Sequence, residues 1–243
     1  MPSPNQRDRV PVRQPRNAAH RLHVRVLSLG LIIAILLSAW GCHFPQDWLL
    51  ENVLVLAALP VLWAIYRKLP FSRLSWTLVF LFYYLHELGA HYTYSNVPYD
   101  VWWQSLFGRS LNEMMGWERN HFDRLVHFLY GLLLAYPVRE IFLSLARARG
   151  FWGYFLPLDL VLSSSALYEL FEWAAAEIFA GDIGVAYVGA QGDFWDAQKD
   201  MALAMAGALI ALLITLAVNL RYQRDFAREW AMSLRVKSRS TEI

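Results

Sequence analysis

Six long apolar stretches run through the chain, at roughly 26–44, 48–66, 74–92, 122–143, 152–179 and 201–220. A bilayer core of about 30 Å takes about 20 helical residues to cross, so each stretch is long enough. The pattern predicts an all-α, polytopic transmembrane bundle of about six spans over residues 26–220. Basic tails flank it at 1–25 and 221–243 and are expected to be disordered. The first stretch also resembles a signal peptide, and Ser38-Ala39-Trp40-Gly41-Cys42 hints at a lipoprotein cleavage site. Trp40 is bulky where small residues are wanted, and a long polar, basic segment precedes the apolar run, so it is read as a retained helix.

Composition supports the membrane reading. Apolar residues make up 57% of the 243, and charged residues only 17%, against about 25% in soluble domains. The net charge of +2 says little, but its distribution says much. With the N-terminus placed in the cytoplasm, every Lys and Arg except Arg109, Arg119, Arg124 and Lys199 falls on the inner side. The positive-inside rule therefore predicts that both termini are cytoplasmic. The basic tails imply attraction to membrane lipids, through anionic headgroups, and need no nucleic acid. Cys42 is the one cysteine, which excludes an internal disulfide and any cysteine-based zinc or redox motif.

The outer connections are unequal. Segment 93–121 carries Tyr94, Tyr99, Trp102, Trp103 and Trp117, and segment 180–200 carries Gly181, Gly184, Gly189 and Gly192. Trp102 and Trp103 are expected to anchor at the headgroup level, on a short helix lying along the membrane.

Nearly all the acids and histidines near the spans lie at the same end of the predicted bundle. Ionisable groups at membrane depth are costly and mark functional sites. The third span ends His86-Glu87-Leu88-Gly89-Ala90-His91, one residue too long for the zinc-protease pattern. At about 100° per residue the two histidines point about 140° apart, which makes them poor co-ligands unless the helix unwinds at Gly89. The fourth span begins His121-Phe122-Asp123-Arg124-Leu125-Val126-His127, and places Asp123 and His127 on one face. Such a carboxylate–histidine pair serves either as a helix cap with its partner or as part of a metal site. In the fifth, Glu169 and Glu172 share a face inside an apolar run, where two charged carboxylates cannot coexist cheaply. In the sixth, Asp193, Asp196 and Asp200 follow at helical spacing. Asp193 reads as a cap, and Asp200 lies on the stripe of Ala204, Ala208 and Ala211 that should face the bundle.

Inward side chains on facing helices build bundle metal sites. The candidate ligands are His86, His91, His121, Asp123 and His127. The candidate proton-handling or ligand carboxylates are Glu169, Glu172, Asp196 and Asp200. Oxygen donors with one or two imidazoles suit a divalent metal such as Zn, Mn or Fe. The chain lacks the clustered histidines of a membrane desaturase, a Gly-x-Ser-x-Gly elbow, a phosphate-binding glycine loop and an evident inverted repeat.

The motifs His86-Glu87-x-x-Ala90-His91-Tyr92-Thr93-Tyr94, Arg119-Asn120-His121-Phe122-Asp123-Arg124-x-x-His127-Phe128, Glu169-x-x-Glu172-Trp173 and Gln191-Gly192-Asp193-x-x-Asp196-Ala197-Gln198-Lys199-Asp200-Met201 resemble the YjdF family. These are bacterial inner-membrane proteins, and the resemblance, over about 25–220, implies that membrane without implying an activity. Asp123-Arg124-x-x-His127-Phe128 is also distantly similar to the Asp-Lys-x-x-His-Phe pattern of VanZ-like envelope proteins, with Arg124 in place of Lys. That likeness implies an envelope role near lipid or cell-wall precursors. Three expectations stand side by side. One is metal-assisted chemistry on lipid or envelope precursors, one a small proton- or cation-coupled permease, and one a non-catalytic membrane partner whose polar groups fix helix register. Whether the chain is an enzyme is left open, as is its oligomeric state.

Overall fold

A computed structural model describes residues 18–69, 71–179 and 191–222, and all the regular elements among them are helical. They are α1 (Ala18–Ala39), α2 (Pro45–Lys68), α3 (Arg73–Tyr92), a 3-10 turn (Tyr94–Asn96), α4 (Tyr99–Phe107), α5 (Leu111–Met115), α6 (Phe122–Leu145), α7 (Trp152–Phe179) and α8 (Asp196–Tyr222). By length and composition, α1, α2, α6 and α8 can each cross a membrane. At 20 and 28 residues, α3 and α7 match them in length. These two carry His86 and Glu87, and Ser163–Ser165, Glu169 and Glu172, among their apolar residues.

Local signals account for the helix ends. Pro45 opens α2 where its missing N–H costs nothing, with Asp47 in the first turn and Arg67 and Lys68 in the last, as the helix dipole favours. The Ser72 hydroxyl caps α3 by accepting the Ser75 N–H. Two helices begin well before their apolar runs. α1 begins at Ala18 rather than 26, so part of the expected N-terminal tail is helix. α8 begins at Asp196 rather than 201 because its acidic first turn extends the helix beyond the apolar run. Residues 1–17 and 223–243, most of both expected tails, lie outside the described residues, as do Gly181, Gly184 and Gly189.

Contacts between helix ends show that the long helices alternate in direction. At one end, Ser38 near the close of α1 hydrogen-bonds Glu87 near the close of α3, and Trp48 at the start of α2 donates to Ser38. At the same end the starts of α6 and α8 meet α7 near its close. At the other end, the N–H of Ser72 before α3 donates to Glu140 late in α6, and Asn219 late in α8 donates to Tyr154 early in α7.

The tightest packing is α6 against α8. A Cβ on Gly131 would lie 1.8 Å from the Ala204 carbonyl oxygen, and one on Gly207 would lie 2.0 Å from that of Phe128. Two backbones this close need small residues on both sides. Ala204, Ala208 and Ala211 are buried as the alanine stripe predicts, and join Ala135, Tyr154, Val161 and Leu212 in one core. A second core joins α1 and α3 through Val24, Leu31, Trp76 and Phe80. Outward faces remain apolar, with Leu29, Leu36, Val61 and Leu213 exposed. So much exposed hydrocarbon suits lipid as the surrounding solvent.

Candidate functional site

The segment before α6 is firmly tied down. The His121 N–H donates to the Tyr99 hydroxyl at 3.0 Å, and the Phe122 N–H to Asn120 Oδ1 at 2.9 Å. Asn120 Nδ2 in turn donates to the buried Val97 carbonyl at 2.8 Å. The first turn of α6 is thereby held so that Asp123 and His127, one turn apart, both point into the bundle and are buried. Because α8 packs backbone to backbone on α6, Asp200 is delivered to the same point. One potential ligand atom from each of Asp123, His127 and Asp200 lies within 4.8 Å of the other two. α7 adds Glu169, whose Oε1 is 3.5 Å from His127 Nε2, while Asp123 Oδ1 is 3.7 Å from that nitrogen.

Charge accounting makes this cluster unusual. Glu172, also buried, interacts electrostatically with Asp123, Glu169 and Glu51. Glu51, on α2, is buried and accepts a hydrogen bond from Tyr168 at 3.3 Å. Five carboxyls thus gather around two imidazoles, His127 and His86. A group of carboxylates out of water cannot all remain ionised without a compensating cation or shared protons. Asp200 is only 2% exposed, and its Oδ1 has no hydrogen-bond partner among the described residues. A bare buried carboxylate oxygen is costly unless something is meant to meet it.

Beside the cluster, away from α8, lies a cavity of about 180 Å³ between α2, α3, α6 and α7. Asp123 and His127 form one wall, and Tyr130, Ser164 and Ser165 lie deeper in the helices. His86 faces it from α3. Its Nδ1 is 2.5 Å from the Tyr94 hydroxyl, and its Nε2 has no hydrogen-bond partner among the described residues. Gly89 makes this arrangement possible, since a Cβ there would sit 2.8 Å from the Tyr94 ring. The helix does not unwind at Gly89; α3 continues through it to Tyr92.

Above the cluster is a layer of ion pairs. Arg119 bonds Asp196 at 2.6 Å, Arg124 reaches Asp196 at 3.1 Å and also pairs with Asp193, and Lys199 is 2.5 Å from Asp193. The Lys199 ammonium, the Trp195 N–H and Arg124 hold the Asp193 carboxyl well below the usual carboxylate range. Partial burial, then the positive charges of Arg124 and Arg119, lower the His121 imidazole's affinity for a proton.

The sequence-derived candidates therefore separate. Asp123, His127, Asp200 and Glu169 come together, with Glu172 beside them. His86 shares the cavity but stands outside the tight group, whose third member is Asp200. His91 turns the other way: its Nδ1 donates to the Ser38 carbonyl at 2.9 Å, against α1. The roughly 140° offset from His86 and the unbroken helix dictate this. His121 stacks on Trp117 with ring centroids 4.4 Å apart, and Asp196 is occupied by two arginines. Asp193 accepts the Trp195 N–H at 3.0 Å, as a turn residue before α8. Three buried acids were not among the candidates, Asp47, Glu51 and Glu87. Glu51 was detectable as a lone carboxylate inside an apolar stretch. Glu87 was visible between the two histidines, but nothing in the sequence ties it to Ser38.

Comparison with known proteins agrees with this architecture. Residues 23–221 match the family described as "Predicted membrane protein (DUF2238)". The chain is 34% identical over 200 residues to "Inner membrane protein YjdF" of Escherichia coli (strain K12), which spans 82% of this chain and 91% of that relative. No solved structure matches the chain. An all-helical chain with several membrane-crossing helices, matched over most of its length, belongs to the DUF2238 family of multi-pass bacterial inner-membrane proteins.

Proposed function

We propose that the chain crosses the membrane six times, with both termini cytoplasmic, and holds a divalent cation near the outer face. Asp123, His127 and Asp200 are its ligands and Glu169 stands ready as a fourth. The Oδ1 of the 2% exposed Asp200, without a hydrogen-bond partner among the described residues and beside Asp123 and His127, carries this reading. Metals with ligand bonds near 2.0–2.2 Å bring ligand atoms about 3–3.5 Å apart. The 3.5 and 3.7 Å approaches to His127 Nε2 are already close to that. Hard oxygens with one imidazole favour Zn, Mn or Fe. Such an ion would supply a Lewis acid for a phosphate or carbonyl, or an activated water. His86, facing the cavity from α3, would take or return a proton there. The membrane setting, and the distant likeness of the α6 motif to VanZ-like proteins, favour lipid or envelope-precursor substrates.

The test is elemental analysis of detergent-purified protein beside the Asp123→Ala/His127→Ala double variant. About one metal per chain, lost in a variant that remains folded, is the expected result. Native protein that stays metal-free and gains no thermal stability from added Zn, Mn or Fe overturns the reading.

A second reading has its own support in the carboxyls of Glu51, Glu172, Asp123, Glu169 and Asp200 strung between four helices. Such chains relay protons, and a proton- or cation-coupled permease would use them. It expects pH-driven uptake into proteoliposomes that Glu172→Gln abolishes; unaltered flux in that variant removes it.

A further inference from the structure

On the opposite face of α6 from the cavity, α6 and α8 open a groove of about 590 Å³. Its walls are apolar, formed by Leu125 and Phe128 from α6 and Leu203 from α8, and its rim carries His121, Arg124 and Lys199. The rim belongs to the first turns of both helices and the apolar walls run inward from it. This is the polarity of a lipid, a charged head followed by hydrocarbon. Three cations, Arg119, Arg124 and Lys199, share two carboxylates here, Asp193 and Asp196. Lys199 is the most accessible of the three, its side chain 49% exposed against 13% for Arg119 and 15% for Arg124. A half-exposed ammonium at the rim of an apolar groove attracts an anionic headgroup.

We infer that this groove binds one phospholipid, its phosphodiester on Lys199 and Arg124 and an acyl chain laid along Leu125, Phe128 and Leu203. Lys199 has two further N–H donors to offer beside the one given to Asp193, and Arg groups suit phosphate oxygens. The site lies on a different face of α6 from the proposed metal ligands and stands independently of them.

The experiment titrates purified protein in mixed micelles with dioleoylphosphatidylglycerol, and separately with dioleoylglycerol, which has the same chains and no phosphate. Thermal unfolding is the readout. The phospholipid should raise the melting temperature saturably, and dioleoylglycerol should not. Lys199→Gln should weaken the apparent affinity about fivefold, the effect of one cation at a membrane surface. Leu203→Trp, which fills the groove, should abolish the response. Equal stabilisation by dioleoylglycerol, the same shift from inorganic phosphate alone, or wild-type affinity in either folded variant overturns the inference. Should Leu203→Trp fail to fold, the exposed Lys199→Gln decides alone. Metal content should be unchanged in both variants, which separates this result from the fate of the metal site.

Discussion

Single side chains here have sharply different roles despite similar motif positions. Asp193 and Asp200 are both acids of the α8 entry, yet one is saturated with donors and the other has a bare oxygen. The donors on Asp193 lower its folded-state pKa below the ordinary 3.8. A depressed carboxyl stabilises the fold above the unfolded value, and that contribution is lost as pH falls through the folded value. Asp193→Asn should therefore melt below the native protein at pH 7, and the gap should close as the pH drops below about 3.8. Thermal unfolding in detergent across that range checks this; a gap that widens in acid would contradict it. Which acid plays which part was only half legible. Asp123 and His127 could be paired from their spacing, because one helix fixes both. The bare oxygen of Asp200 could not be foreseen, because it depends on what other helices fail to supply.

At the scale of elements, the α6–α8 contact governs the site, since it brings Asp200 to Asp123 and His127. Gly131 and Gly207 set that distance. Replacing either with Ala forces the backbones apart, and overpacking of this kind costs about 1–3 kcal/mol. Gly131→Ala and Gly207→Ala should each lower the melting temperature clearly, and the double variant should fall short of their sum because they share one interface. Gly30→Ala is the contrast: its Cβ would meet the Tyr84 hydroxyl at 2.6 Å, the end of a side chain rather than a backbone. It should cost less, and a loss equal to that at Gly131 would refute the backbone argument. The alanine stripe on α8 was readable from its period of three to four residues. Its partner face on α6 was not, because one glycine in a mixed apolar run carries no periodic signal.

For the whole molecule, the alternation of helix ends puts the acidic cluster, Ser38–Glu87 and the turn containing Cys42 on one side. The topology proposed above, argued from the charge distribution, puts that side outside. Cys42, the one cysteine and half-buried in the turn after α1, reports on this directly. A membrane-impermeant maleimide should label it in spheroplasts with sealed inner membranes, and a Cys42→Ser control should stay unlabelled. Labelling that appears only after permeabilisation would reverse the orientation and move the site to the cytoplasmic face.

Residue order alone is enough to read the chain as helical and membrane-embedded, with its acids and histidines crowded at one end. Each of these follows from one-dimensional quantities: the length of an apolar run, the side on which basic residues fall, the depth of a polar residue within its own span. Which of those groups meet emerges from the packed helices. His86 and His91 part company, Asp200 replaces His86 beside Asp123 and His127, Glu51 joins from a helix with no motif to announce it, and Glu87, inside the α3 motif, meets Ser38. Meetings between helices depend on their rotation and neighbours. Those are set by close packing such as Gly131 on Ala204 and Gly207 on Phe128, where steric fit between distant parts of the chain does the choosing.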